Sequence, residues 1–340
     1  MTLPLRTSPS RELRDNLVQR VLELVGQELQ EVEALLFSAT ESDVPFIREA
    51  GQDLFGRGGK RMRPALLLLA SRSLGCNGSE PVTYAAVIEL IHTATLVHDD
   101  ILDHALLRRG RPTVHAAHGP NRAVLLGDWL FTKAMKMAIG CGKLEALDLL
   151  ADATLAMTEG ELLALARLGD PNLSVEEYFA VIEHKTARLF AAACALPALL
   201  LEEASPWFSA LYNYGRALGL CFQLTDDLLD FTAREEELGK PVLSDLREGK
   251  LTLPLLLALP RLDPSDRRQI ELALSQRSFE NLMAPEKILE LVDRAGTLAE
   301  VESFAKSFAR DAQRALGVLP SGPAREVLEL APDYVVYRRS

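Results

Sequence analysis

Cysteine is scarce in this chain: Cys76, Cys141, Cys194 and Cys221 are the only four in 340 residues, and no two stand in C-x-x-C spacing. That excludes a zinc ribbon and argues against a disulfide scaffold, so a reducing compartment, the cytoplasm, is expected. Long apolar runs are missing too. The longest, Leu189 to Leu201, has 13 residues and contains Pro197, whereas a membrane span needs about 20. The first residues, MTLPLRTSPSRELRDN, carry no continuous apolar stretch of the kind a signal peptide needs. Basic residues are outnumbered, 37 against 48 acidic ones, for a net charge of −11. A chain of that charge is a poor nucleic-acid binder, and any anion it takes must meet a local basic cluster or a metal ion. Period-two alternation with Val, Ile and Thr, the mark of strands, is absent, as is any Gly/Ser or Pro-rich linker.

What is present is helical. Leu13, Leu17, Val21, Leu24, Val25, Val32 and Leu36 recur at three- and four-residue steps, which predicts one amphipathic N-terminal helix over about residues 10–40. Further starts are expected at Ser42/Asp43 with Pro45, at Pro81 and at Pro120, and Ser174 with Glu177 reads as a capping box. Gly75, Gly140 and Gly169 mark stops. Leucine and alanine fill the apolar positions, and both favour helix. The expected fold is all-α, a single-domain helical bundle over residues 1–340 with ten or more helices.

Two acidic triads stand out. Asp99, Asp100 and Asp103 sit in VHDDILD, and Asp226, Asp227 and Asp230 in LTDDLLD. Residues four apart share one helix face, so Asp99 and Asp103 project together. Carboxylates flanked by Val97, Ile101 and Leu102 are costly to desolvate and repel one another, so they call for cations. An all-oxygen donor set suits a hard ion such as Mg²⁺. One such triad is often only a solvated acidic turn, but two on two apolar helices suggest facing walls of one cavity. Four cations fall within the seven residues Arg57 to Arg63, beside Gly58 and Gly59, and Pro64 follows them. Glycine admits close approach to a ligand, and the start of a helix favours anions. Arg108, Arg109 and Arg111 follow the first triad directly. Cations next to a metal-binding triad imply an anion that bridges both, and diphosphate is the natural candidate.

These segments, in order GGKRMRP, HTATLVHDDILD, RRGRPTVH, GDWLF, EGE, KTARLF, FQLTDDLLDF and GKPV-SDLREGK-TLPLL, resemble those of the trans-isoprenyl diphosphate synthases, or polyprenyl synthetases. The resemblance runs from about Gly58 to the C-terminus and is nearest to the bacterial long-chain branch. Leu243 stands where many relatives carry glycine. The resemblance implies that Asp99, Asp103 and Asp226, helped by Asp100, Asp227 and Asp230, hold Mg²⁺, three ions per site with diphosphate bound. It assigns Arg108, Lys185, Thr186, Gln223 and Lys240 to the allylic diphosphate, and Lys60, Arg63, His92 and Arg109 to isopentenyl diphosphate. Taken alone, His92 would read as a satisfied core histidine, and Lys185-Thr186 as ordinary helix surface. The implied reaction is head-to-tail condensation to a long all-trans product near C40 for quinone side chains, by a homodimer that passes its product to the membrane surface. Shorter-chain synthases, a class I terpene cyclase and a non-catalytic partner subunit are the alternatives. The cyclase would lack GGKRMRP, and the partner subunit would lack one triad. Ile91, Ala94 and Thr95, below Asp99 on the same helix, are the expected chain-length positions, with Phe131, Met135 or Met137 as the floor.

Overall fold

Proline sets where many of the helices begin. Pro45, Pro120, Pro254, Pro264, Pro285 and Pro323 each occupy the first or second helical position, where the missing N–H has no partner to lose. The computed structural model describes residues 11–56, 59–108, 110–201, 206–233, 242–278 and 282–338. Its helices are α1 (Arg11–Ala39), α2 (Pro45–Phe55), α3 (Met62–Ser73), α4 (Ser79–Leu102), α5 (Val114–His118), α6 (Pro120–Gly140), α7 (Leu144–Ala166), α8 (Val175–Ile182), α9 (Arg188–Leu199) and α10 (Phe208–Thr232). There follow α11 (Ser244–Arg247), α12 (Leu253–Ala258), α13 (Pro264–Gln276), α14 (Pro285–Arg294), α15 (Thr297–Ala315) and α16 (Pro323–Tyr337). The only β structure among the described residues is a hairpin of two-residue strands, Leu107–Arg108 with Arg111–Pro112. No described helix is long and apolar enough to cross a membrane.

The all-α expectation holds, with local differences. The N-terminal helix is amphipathic as read, with Leu17, Val25, Val32 and Leu36 buried, but it is kinked at Val25 (φ −135°, ψ 17°). Arg72 on α3 stabilises the kink. Its Nη2 and Nε donate to the carbonyl of Leu24 at 2.6 and 3.2 Å. Ser174 and Glu177 do form the capping box. The left-handed residue after α6 is Gly142 rather than Gly140, which is the last helical residue.

The long helices α4 and α10 form the heart of the bundle. α4 packs along α6, and α10 packs between α9 and α15. Their buried faces are leucine, isoleucine and alanine, and each fully buried leucine contributes about 1.5–3 kcal/mol relative to exposure. Ile91 and Ala94 belong to this core, and Thr95 is half-buried with its hydroxyl bonded to the carbonyl of His92. Glycines set the closest approaches. A Cβ on Gly127 of α6 would lie 2.1 Å from the His98 ring of α4, and one on Gly219 of α10 would lie 2.6 Å from Ala187 Cα. Both acidic triads therefore end up at the C-terminal ends of packed helices, α4 and α10.

Candidate active site

A helix C-terminus carries the negative end of the macrodipole. Placing two groups of aspartates there concentrates negative potential, and the fold answers with cations. Asp99 lies 3.9 Å from Lys185 Nζ, and Lys185 also pairs closely with Glu161 of α7. Asp103 accepts from Lys250 Nζ at 2.8 Å. Asp100, buried, accepts from Arg108 Nε at 2.8 Å and Nη2 at 2.7 Å. Asp226 accepts from Arg338 Nη2 at 2.6 Å.

Lys185 and Thr186 bridge the two triads. They sit in a π-helical turn, Glu183–Ala187, between α8 and α9. Such turns bulge a helix and often mark functional sites. Gly160 of α7 admits the turn, since a Cβ there would lie 2.7 Å from His184 Cβ and from the Lys185 backbone nitrogen. Lys185 reaches Asp99 on one side. On the other, Thr186 Oγ1 donates to Gln223 Oε1 at 2.8 Å, and Gln223 Nε2 donates to Asp227 Oδ1 at 2.9 Å. A cavity of about 390 Å³ opens here, with Asp103, Glu161, Lys185, Thr186, Gln223 and Lys250 among its lining.

The six aspartates that the sequence groups as metal ligands divide in the structure. Asp99, Asp103 and Asp226 keep side-chain exposures of 21, 23 and 43%. Asp100, Asp227 and Asp230 are buried and engaged by protein donors. Asp227 accepts from Tyr178 Oη at 2.5 Å as well as from Gln223. Asp230 accepts from the backbone nitrogen and hydroxyl of Ser244, at 3.1 and 2.8 Å, and from the Asp245 nitrogen at 3.3 Å. It thereby ties down the segment that delivers Lys250 to Asp103. Leu243 in that segment is left-handed (φ 56°) and fully buried, a backbone conformation that glycine adopts without penalty.

Burial raises Asp99 to about 6; Lys185 opposes the shift, and Glu161 and Asp103 add to it. Burial likewise raises Asp227 to about 7, with Asp245 and Asp226 adding and the Tyr178 and Gln223 hydrogen bonds opposing. Burial alone would lower Lys250, but the negative charges of Asp103 and Glu248 outweigh it and hold the ammonium charged. Carboxylates this crowded and desolvated suit a divalent cation. Among the described residues no three acidic, histidine or cysteine side chains surround one point. What fits a hard ion such as Mg²⁺ is the chemistry of the donors, carboxylate oxygens alone, since such an ion takes a few of them and completes its shell with water or phosphate.

A second basic group lies nearby. Lys60 is exposed just before α3, Arg63 is on the first turn of α3, and His92 is half-buried on α4. The Arg63 guanidinium stacks 4.3 Å above Phe190, that of Arg338 3.8 Å above Phe222, and the two rings are 5.3 Å apart. Burial lowers Arg63 to about 10, against the pull of Glu89 and Asp226, and its Nε is buried without a partner. Arg109 and Lys240 lie outside the described residues. Sequence reasoning gave no role to Glu161, Lys250 or Arg338. The first two fall inside the segments EGE and SDLREGK, whereas Arg338 had no signal at all.

The chain's residues 44–292 match the family model Polyprenyl synthetase. It is 41% identical over 311 residues to octaprenyl diphosphate synthase of Escherichia coli K12, covering 92% of this chain and 96% of that one. The structure superposes with a TM-score of 0.90 on a polyprenyl synthase from Caulobacter crescentus crystallised with calcium and isoprenyl diphosphate, at 38% identity and covering 95% and 98% of the two chains. For a decaprenyl diphosphate synthase from Rhodobacter capsulatus the TM-score is 0.87, at 34% identity over 94% and 98%.

Proposed function

Since this chain belongs to the polyprenyl synthetase family and is a prenyltransferase, we propose that it condenses isopentenyl diphosphate with an allylic diphosphate, head to tail, to a long all-trans polyprenyl diphosphate of about eight isoprene units. The observation that carries this is the Lys185-Thr186 turn, which spans two acidic triads with a second basic group beside them.

Asp99, Asp103 and Asp226 are the carboxylates open enough to hold Mg²⁺. When bound, the metal supplies positive charge to the departing diphosphate. Lys185, Arg108, Thr186 and Gln223, joined by Lys250, orient the allylic diphosphate, and their charges and dipoles stabilise it as the C–O bond ionises. Asp100, Asp227 and Asp230 hold Arg108, Gln223 and the Lys250 segment in place. Lys60, Arg63 and His92 bind the diphosphate of isopentenyl diphosphate and point its double bond at the allylic cation. The proton lost after bond formation passes to the departing diphosphate, an anion already held beside the new bond.

The growing chain runs from Asp99 along α4 past Thr95, Ala94 and Ile91. The first two are small, so the floor lies deeper, toward α6. The protein acts as a homodimer; Leu125 and Ile139 of α6 and Leu144, Leu155 and Leu162 of α7 form large exposed apolar surface of the kind that marks an interaction face. It works in the cytoplasm and releases its product to the membrane surface.

The test is diphosphate release with allylic and isopentenyl diphosphates, singly and together, with and without Mg²⁺, followed by mass spectrometry of the product. Release that needs both substrates and the metal, with a product near C40, is expected. Release from the allylic substrate alone would indicate a cyclase, and no release under any condition a non-catalytic subunit.

A further inference from the structure

The family match begins at residue 44, so α1 lies wholly before it. α1 nonetheless reaches the basic loop, through Arg61. This residue caps the N-terminus of α3 with left-handed backbone (φ 42°, ψ 37°), a conformation that a residue with a Cβ disfavours. Its side chain is only 11% exposed. Nε and Nη2 donate to the two carboxylate oxygens of Glu33 on α1, at 2.6 and 3.0 Å, and Nη1 donates to Glu89 Oε1 on α4 at 2.7 Å. Phe55 of α2 lies beneath, its ring centre 5.8 Å from the guanidinium.

The side chain folds back under Gly59. A Cβ there would sit 3.0 Å from Arg61 Nη1 and 3.4 Å from Cζ. Glycine at 59 is therefore explained by Arg61 itself, without a ligand. A planar guanidinium held in a two-point fork on one carboxylate and by a third bond on another tolerates little rotation. It stabilises the otherwise disfavoured turn. Lys60 takes its direction from that φ angle, whereas Arg63 is already fixed on α3.

We propose that Arg61, clamped between Glu33 and Glu89, is a positioning residue that aims Lys60 at isopentenyl diphosphate, so that the N-terminal helix takes part in second-substrate binding. This rests on the assignment of Lys60 to isopentenyl diphosphate made above. Without the clamp, Arg61 relaxes to a right-handed or extended backbone and Lys60 turns away. Ionisation of the allylic substrate at Lys185 and the triads is untouched.

The experiment measures kcat and both KM values for the full-length protein and the variants Glu33→Gln, Arg61→Lys, Lys60→Ala and Glu33→Gln/Lys60→Ala, with thermal melting to follow folding. Glu33 is 30% exposed, so its neutralisation leaves the fold intact. Glu33→Gln is expected to raise the KM for isopentenyl diphosphate about tenfold, in the range of one charge-assisted contact. kcat should stay within about twofold, the allylic KM should not move, and Arg61→Lys, which keeps the charge but loses the fork, should show at least as large a rise in the KM for isopentenyl diphosphate. The double variant should be no worse than Lys60→Ala, because a Lys60 that is absent cannot be misdirected. A wild-type KM in Glu33→Gln overturns the proposal. So does an equal loss for both substrates, or an additive effect in the double variant. If Lys60→Ala leaves the KM for isopentenyl diphosphate unchanged, the assignment of Lys60 fails first and the positioning role falls with it.

Discussion

Gly160 offers a sharp test because its two possible effects have opposite signs. It lies inside α7 with room for no side chain: a Cβ would be 2.7 Å from His184 Cβ and from the Lys185 nitrogen, about 0.7 Å inside ordinary contact at 3.4 Å. In a helix with free space, Gly→Ala stabilises by about 1 kcal/mol, because alanine loses less backbone entropy. Here the clashing atoms belong to the backbone and Cβ of the π turn, not to a flexible tip, so the turn must move or α7 must tilt. Overpacking of this kind costs about 1–3 kcal/mol, so the net change is a destabilisation of roughly 0–2 kcal/mol once the intrinsic gain is subtracted. The functional effect should be larger. Shifting Lys185 and Thr186 by several tenths of an ångström disturbs the contacts to Asp99 and Gln223, and a misplacement of about 1 Å can cost 10²-fold in rate. The assay is steady-state turnover with saturating substrates beside a thermal melt. Gly140→Ala, at the last helical position of α6 with nothing within 4 Å, serves as the control and should leave turnover unchanged while stabilising by up to about 1 kcal/mol. A Gly160→Ala variant that is more stable than wild type and fully active would refute the claim that this glycine seats the π turn.

Four further outcomes follow from the same geometry. Asp226→Ala should lower turnover by about two orders of magnitude or more through lost stabilisation of the leaving group, and near-normal rates would remove Asp226 from the site. Ala94→Phe should shorten the product seen by mass spectrometry while the first condensation proceeds, and an unchanged product would mean that the chain does not run past Ala94. Leu243→Gly relieves a left-handed leucine, a gain of about 1–2 kcal/mol, but empties a fully buried site at about 2–5 kcal/mol; denaturant melts should show a net loss of roughly 0–4 kcal/mol, and a stabilised variant would mean that backbone strain dominates. Light scattering at micromolar concentration should give a dimer, and Leu125→Glu should weaken it; an active wild-type monomer would contradict the dimer.

Much of the candidate site was legible in one dimension because its parts are local. A triad needs only residues one turn apart on an apolar helix, as Asp99 and Asp103 are, and the basic loop is four charges in seven residues. Helical periodicity likewise identified the all-α class, and the capping box at Ser174 is a contact over three positions. Other features depend on which helices come to lie side by side. Lys250 meets Asp103 across 147 positions and Arg338 meets Asp226 across 112, while Glu33, 28 positions before Arg61, comes from a different helix. Nothing local marks those partners, since a lone Lys, Arg or Glu looks the same paired or solvated. The split among the aspartates has the same cause. Asp99 and Asp100 are adjacent, but a helix turns 100° per residue, so one stays partly exposed beside Lys185 and the other is buried against Arg108. The residue types and their periods were enough to specify helices, two carboxylate groups and a basic loop. Packing alone decided which carboxylates stay partly exposed, which are buried against protein donors, and where glycine must make room for the π turn between them.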